Sequence, residues 1–385
     1  MTAGHNVVVV GAGVVGCAIA YSLTALGERD VLLLEREALP GTGSTSKANG
    51  GIRAQFTTPV NIAMSLAAMA ILEELAPAIG EPPVYRKAGY LFLTGDERRL
   101  AAMVEAVAYQ RARGVAVELL DAAGVTRLAP YVSGERLLGG TFGPRDGFID
   151  PGGLANWFLA RALERGARIR YAAEVLGIEP AAGGSLRLDT RAGSVTAPVV
   201  VNAAGPWGRS VAAMVGVDLP VDPVRRHILV SGPCRSLARE IPMTIDADTG
   251  VLIRREGDRV LIAHSPPDEP PGFDLSYDPA FVERIAEPLI DRFPAVAEAG
   301  IDHRRSWAGL YEVSPDHHAI LGAAPGVPGF ILANGFSGHG VMHSPATGRC
   351  IAELIVTGRS TTVDIAPLAL DRFERGAAIH ETMVL

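Results

Sequence analysis

The sequence is poor in cysteine, in aromatic residues and in positive charge. Cys17, Cys234 and Cys350 are its three cysteines, and they stand far apart. That spacing excludes a disulfide framework and a CxxC-type zinc site, and it suits a reducing cytosol, so a cytoplasmic location is expected. Lys and Arg total 35 against 42 Asp and Glu, for a net charge of −7. A nucleic-acid binder needs a basic footprint, and a polybasic membrane patch needs clustered lysine and arginine; neither is present. The opening MTAGHN has no basic n-region, so no signal peptide is expected. Residues 7–23 are uncharged, but the stretch is short for a membrane span and three glycines interrupt it. No transmembrane segment is expected. Internal repeats and low-complexity tracts are also absent. A chain of 385 residues, 48% hydrophobic and 20% charged, remains. It reads as an ordinary globular protein of two or three domains.

The most informative block is NVVVVGAGVVGCAIAYSLTALGERDVLLLE. Val7–Val10 form a β-branched apolar run suited to a buried parallel strand. Gly11, Gly13 and Gly16 follow in G-x-G-x-x-G spacing. A helix comes next, opened by Val14 and Val15, with Ala20, Leu23 and Leu26 inward and Gly27 at its end. Val31–Leu34 form a second buried strand, closed by Glu35. Gly11 permits the tight turn, Gly13 clears the backbone for a pyrophosphate, and Gly16 lets helix and strand pack closely. The helix N-terminus offers free N–H groups and a positive dipole end to the phosphates. Glu35 lies 19 residues beyond Gly16, where an acid binds ribose hydroxyls. An acid rather than a base there favours FAD or NAD over NADP.

Residues 36–56, REALPGTGSTSKANGGIRAQF, are a long polar loop of small residues. A nicotinamide enzyme would run on into the next βα unit. A flavoprotein uses such a loop to wrap the ribityl chain and the flavin ring.

Three blocks together carry a resemblance: the N-terminal unit with STSKANGGIR, VVNAAGPWG at 200–208, and WAGLYEVSPDHHAILG with GFSGHGVMHSPATG between 307 and 348. The chain resembles FAD-dependent amine oxidoreductases of the D-amino-acid oxidase superfamily. It is most similar to their sarcosine oxidase β-subunit and proline dehydrogenase branch. The resemblance implies an α/β fold: a discontinuous Rossmann-like FAD-binding domain with an inserted substrate domain on a mixed or antiparallel β-sheet. The FAD-binding segments would be 1–85, 146–220 and 306–385, and the substrate segments 86–145 and 221–305. It also implies cofactor contacts from Gly11, Gly13, Val14, Val15, Gly16, Glu35, Arg36, Ser44, Thr45, Ser46, Asn49, Gly50 and Gly51. Val175, Ala203, Gly205, Trp207 and Gly309 would add to them, as would Gly338, His339, Gly340, Val341 and Met342.

The periodicity predicts a helix over 61–76, a strand over 86–95, a helix from Asp96 to 113 and paired strands across 222–265. PPDEPPGFD at 266–274 reads as a loop.

An amine dehydrogenase must hold the substrate α-carbon over flavin N5, anchor a carboxylate, and stabilise negative charge on the reduced ring. Those are tasks for arginines, a helix N-terminus and aromatic walls. Arg53 ends the glycine-rich loop, where relatives place a basic residue beside flavin and substrate; a surface ion pair is the other reading. Arg254, Arg225 and Arg226 lie on strand patterns, and any one of them could clamp the carboxylate or face solvent. Tyr311 and His339 complete the catalytic candidates. His264 is a further pocket candidate, read more simply as a strand-end histidine bonded to backbone. His317 and His318 beside Asp316 suggest a metal, but adjacent side chains point apart, so a structural turn at Ser314-Pro315-Asp316 is expected. Monomeric sarcosine oxidase relatives attach FAD through a cysteine where this chain has Gly309, so noncovalent FAD is expected. They carry an oxygen-activating lysine where Met342 stands, which favours a dehydrogenase over an oxidase.

The stretch GFSGHGVMHSP, from Gly335, has His339 and His343 at the spacing of a helical zinc site. It lacks the glutamate of HExxH and an evident third ligand, and G-x-S-x-G would need glycine at 339. A glycine turn feeding a helix remains, with its positive end toward the flavin pyrimidine and His343 structural. The expected partners are a small amine or amino acid and an electron acceptor or partner subunits. A non-catalytic flavin-binding scaffold is the alternative from another class.

Overall fold

The computed structural model describes residues 3–79 and 85–381. Residues 1–2, 80–84 and 382–385, parts of the segments assigned above to FAD binding, lie outside the described residues.

Val7–Val10 and Val31–Leu34 are strands, and every residue of both is buried. They are the inner strands of a six-stranded sheet. Its order is Arg168–Arg170, Val31–Leu34, Val7–Val10, Val199–Asn202, Phe330–Asn334, Ile320–Ala323, parallel except for the last pair. Alternate side chains go to opposite faces. Val7, Val9 and Leu33 pack with the helices Val14–Ala25, Pro151–Glu164 and Gly340–Thr357. Val8, Val10, Leu32 and Leu34 meet the strands Val175–Pro180, Leu186–Thr190 and Gly193–Ala197. Both faces being covered explains why these strands are continuous apolar runs rather than alternating ones. Each such buried side chain stabilises by roughly 1.5–3 kcal/mol. The helices Val14–Ala25 and Gly340–Thr357 cross very closely: a Cβ on Gly348 would sit 2.4 Å from the Ala18 carbonyl oxygen.

The second sheet has eight strands. Its order is Trp307–Val313, Asp222–Val230, Arg259–His264, Leu252–Glu256, Met243–Asp246, Tyr90–Thr94, Gly139–Gly143, Glu118–Asp121. Only Met243–Asp246 and Tyr90–Thr94 pair in parallel, so the sheet is mixed. Trp307–Val313, grouped by sequence with the FAD-binding segments, is the edge strand of this sheet.

Local expectations met local physics. The helix predicted from Asp96 is Glu97–Arg111, with the Asp96 carboxylate accepting from Arg99 N at 2.8 Å as an N-cap. The single strand predicted over 86–95 is broken at Gly89, which has φ +87. Tyr85–Arg86 pairs with Gly147–Ile149 in a small separate sheet, while Tyr90–Thr94 joins the large one. The helix predicted over 61–76 runs Pro59–Ile79. It is long and apolar enough to cross a membrane by length and composition. Its Ile62, Met64, Ala68, Met69 and Leu72 are buried in the core against the Gly340–Thr357 helix.

Candidate flavin and substrate cavity

A cavity of about 320 Å³ runs between the two sheets. At one end it is walled by the turn after Val7–Val10. Gly11 has φ +103, and a Cβ there would lie 2.5 Å from the Ala203 carbonyl oxygen. The turn and the Asn202–Gly205 segment are thus packed backbone to backbone. Gly16 does not line the cavity. A Cβ there would meet the Gly11 carbonyl oxygen at 2.0 Å, so its role is the close packing of helix on turn. Gly13, Val14 and Val15 do line the cavity. Glu35 is held by two backbone donors, Ala12 N and Glu37 N, each at 2.9 Å. Arg36 places its guanidinium 3.8 Å over the Trp207 ring, and both line the cavity mouth beside Glu35, Val175, Ala203 and Gly205.

The polar loop folds over the helix start. Thr45 Oγ1 accepts from Val14 N at 3.0 Å, and Ser44 Oγ donates to the Leu310 carbonyl at 2.7 Å. The loop therefore stitches the first turn of the N-terminal helix to the edge strand of the large sheet. Ser44, Thr45, Asn49, Gly50, Gly51 and Gly309 line the cavity, but Ser46 does not. Ser46 is exposed and its hydroxyl returns to the Thr42 and Gly43 carbonyls, so it is a loop-stabilising residue. Gly309 has a packing reason of its own: a Cβ there would lie 2.6 Å from the Lys47 Cβ.

Opposite these residues is the second glycine turn. Gly338 has φ +95, and the Tyr311 ring lies where its Cβ would be, at 2.5 Å. His339, Gly340, Val341 and Met342 complete this wall. The helix begins at Gly340 with no side-chain cap, leaving its first N–H groups without intrahelical partners.

Arg53 is fully buried and lines the cavity. It donates to the Gln55 carbonyl and lies 3.8 Å over the Phe56 ring. Burial lowers its pKa, against the raising effects of Tyr90, Glu381, Asp146 and Tyr311. His339 is held neutral, well below the usual histidine range, by burial and then by the charge of Arg53. Its ring meets Phe56 edge-on, with centroids 5.1 Å apart. Burial pushes the Tyr90 and Tyr311 phenols up, so both remain donors.

The arginine question resolves by register. Arg254 does not line the cavity. On its strand it shares a face with Leu252, but its guanidinium pairs with Glu256 and lies 4.8 Å over the Phe148 ring, away from the cavity lining. Arg225 is bound to Glu269 and Asp274 of the proline-rich loop and to Ser276 just beyond it. Arg226 lines the cavity, 5.5 Å from the Tyr311 ring centre. One Nη donates to the Arg225 carbonyl at 3.0 Å, while its buried Nε has no hydrogen-bond partner. His264 is the last residue of its strand, with the Gly250 backbone as a hydrogen-bond partner as expected, and it also lines the cavity. Tyr90, Met243, Leu252 and Glu312 line it too and had escaped the sequence reading.

His343 and His318 are held by structural contacts. His343 Nε2 bonds Ser65 Oγ at 3.0 Å. His318 is held between the Asp316 carbonyl and Thr58 Oγ1, and Asp316 is locked to the buried Arg372 at 2.8 Å. Among the described residues no cluster of His, Cys, Asp and Glu could hold a metal ion.

The cavity fits FAD on its own geometry. Both ends of the Asn49 amide are buried and unpartnered within it. An amide left so costs about 1–3 kcal/mol per group unless a ligand satisfies it. Two glycine turns open helix N-termini onto the same space, and Glu35 stands at the ribose position.

The comparisons agree. The chain is 31% identical to the Xenopus laevis FAD-dependent oxidoreductase domain-containing protein 1, over 96% of this chain and 82% of that one. It is 30% identical to human mitochondrial sarcosine dehydrogenase over 97% of this chain, but spans only 42% of that longer protein. Its fold superposes on L-proline dehydrogenase from P. horikoshii with a TM-score of 0.90, at 27% identity and covering 98% and 99% of the two chains. The family model described as "FAD dependent oxidoreductase" matches residues 6–354. The chain is a member of the FAD-dependent oxidoreductase family, and FAD is its cofactor.

Proposed function

We propose that the chain oxidises a small carboxylated amine to its imine. The substrate would be a secondary or N-methyl amino acid such as sarcosine or proline, or a D-amino acid. The observation that carries this reading is Arg226, a guanidinium on the cavity wall whose buried Nε has no protein partner. Charge-assisted bonds from such a group suit a carboxylate. The sarcosine and proline dehydrogenases among the relatives support the same substrate class.

Bound FAD supplies the acceptor for the hydride that leaves the substrate α-carbon. Gly11, Gly13, Val14, Val15, Glu35, Ser44, Thr45 and Asn49 would hold it from one side, and Gly338 to Met342 from the other. Among the described residues no cysteine lines the cavity, and Gly309 offers no side chain for attachment, which supports a noncovalent cofactor. Arg53 and Arg226 set a positive field at the substrate end. That field favours the neutral amine, whose lone pair the reaction needs, over the ammonium. Neutral His339 adds hydrogen-bonding capacity there without adding charge. The Tyr90 and Tyr311 hydroxyls can donate to the same carboxylate, while Met243, Leu252 and Ile228 exclude water. Met342 brings no cation to the flavin wall, which favours a carrier rather than oxygen as electron acceptor.

Anaerobic bleaching of the flavin by sarcosine, L-proline, glycine and D-alanine in parallel tests the proposal. At least one should bleach it. If none does, the non-catalytic flavin-binding reading replaces this one. With a bleaching substrate, Arg226→Ala should raise KM by about tenfold or more with FAD content unchanged, the loss expected for a charge-assisted pair. Arg254→Ala should leave KM within about twofold, since it lies outside the cavity.

A further inference from the structure

Among the described residues Glu312 is the one carboxyl on the cavity wall that no role above uses and that has no cation beside it. It lies on the edge strand Trp307–Val313, one residue past Tyr311. Alternation along the strand sends the two side chains to opposite faces. Tyr311 goes to the substrate wall beside Arg226 and Gly338. Glu312 goes to the turn after Phe330–Asn334, where one carboxyl oxygen, Oε2, accepts from Gly335 N at 3.1 Å and the Phe336 N–H also faces the group. The backbone of Glu312 is fixed as well: its carbonyl accepts from Ser337 N at 3.0 Å.

Among the described residues no charged group acts on the Glu312 carboxyl; the Ser44–Lys47 helix also packs on this strand, but its Lys47 lies against Gly309. Leu310 and Tyr311 flank Glu312 on its own strand, Pro223 is its cross-strand partner, and the turn presents backbone of Gly335 and Phe336 with the Ser337 hydroxyl. The nearest charges on the neighbouring strand are engaged elsewhere: Asp222 with Arg209 at 2.6 Å, Arg225 with Glu269, and Arg226 toward Tyr311. Two backbone donors occupy part of the carboxyl's capacity of about four lone-pair sites. The rest opens on the cavity that Glu312 lines.

We propose that Glu312 is a positioning residue for FAD, donating a hydrogen bond from its carboxylic acid O–H to the bound cofactor while the turn after Phe330–Asn334 fixes its other side. A neutral donor here suits a cofactor that becomes more negative on reduction, whereas an ionised Glu312 would repel it. Burial supports the protonated form, pushing this carboxyl up to about 7 against the lowering effect of the two backbone donors. The inference rests on FAD as cofactor and is independent of which amine is oxidised.

The test is FAD affinity, measured by titrating apoprotein with FAD and following flavin fluorescence, together with the midpoint potential of the bound flavin. Glu312→Gln keeps a neutral donor and cannot ionise. Its affinity should match the wild type at about pH 6 and hold at about pH 8.5, where the wild type weakens by about tenfold as its own donor is lost. Its midpoint potential should likewise lose the pH-dependent component that the wild type shows above about pH 7. Glu312→Leu should bind FAD about tenfold more weakly at both pH values, with an unchanged apoprotein melting temperature. A Gln variant with the full pH dependence of the wild type would overturn the proposal, and so would a folded Leu variant with wild-type affinity. If the Leu variant does not fold, the Gln comparison decides alone.

Discussion

Two glycine turns frame the cavity, and they need glycine for different reasons. In the turn after Val7–Val10 the crowding is backbone on backbone. A Cβ on Gly11 would strike the Ala203 carbonyl, and one on Gly16 would strike Gly11 itself. Both neighbours are tied to the sheet by backbone hydrogen bonds: Gly11 N donates to the Leu34 carbonyl at 2.8 Å and Ala203 N to the Val10 carbonyl at 2.9 Å. In the turn after Phe330–Asn334 the crowding is side chain on backbone. Gly338 yields its space to the Tyr311 ring, while Gly340 has only ordinary contacts, the nearest at 3.5 Å. The first turn is a requirement of the binding unit whatever the chemistry. The second fits one aromatic residue of the other sheet, so it carries the relation between cofactor and substrate walls.

Breaking the first turn should give the largest effect. Gly11→Ala adds a methyl group 2.5 Å from a carbonyl oxygen at φ +103. Strain of that kind costs about 1–3 kcal/mol, and the contact must also push the turn from its place. The purified variant should carry less than about a tenth of the wild-type FAD, read from the visible absorbance ratio. Wild-type flavin content would show that the turn adapts and remove the contrast.

Gly338→Ala tests the other side with a smaller expected effect. The methyl group must displace the Tyr311 ring, which is a side chain and can give way. Flavin content should stay within about twofold of wild type while the rate of flavin reduction falls by about tenfold. In a Tyr311→Ala background the same methyl group should change that rate by less than about twofold, which is the coupling expected of residues in direct contact. Equal losses in both backgrounds would mean that the turn acts through its own strain and not through Tyr311.

How far each turn could be read from the residues alone follows from the same contrast. Backbone crowding forces a fixed glycine spacing, so Gly11, Gly13 and Gly16 announced the first turn, and the valine runs beside it announced a doubly covered parallel sheet. Side-chain fitting leaves no fixed spacing. Arg254 was chosen and Arg226 left open because alternation says that neighbours point apart without saying which face is the cavity. Glu312 was passed over inside WAGLYEV because a single acid in an apolar strand reads as an edge residue until the Gly335 turn is seen beneath it. Ser46 sat in the right loop but on its outer side. Gly139–Gly143 gave no strand signal, because glycine carries no side chain to alternate; a Cβ on Gly140 would strike the Phe92 carbonyl at 2.2 Å. Only the paired strand explains it.

Acid should give the smallest effect and should act on the second turn. The helix after that turn carries His339 and His343, both held neutral. Burial, with the charge of Arg53, lowers His343 from the ordinary 6.5 to about 3. As pH falls through 6.5 the unfolded chain takes up a proton on His343 and the folded chain does not, until about 3. Its contribution to stability is therefore complete above 6.5 and is lost progressively on acidification to about 3. Asp146 and Glu312, both pushed up to about 7, work in the opposite direction: folding holds their protons, so they add stability as pH falls below 7. The net curve hides the histidine, and His343→Gln exposes it. Glutamine can keep the bond to Ser65 Oγ and does not titrate. Between about pH 6.5 and pH 5, with FAD saturating, wild type should lose roughly 2 kcal/mol more than the variant, which is a few degrees in melting temperature. Parallel melting curves for the two proteins would mean that His343 is solvated in the folded state, and the two turns would then answer to acid alike.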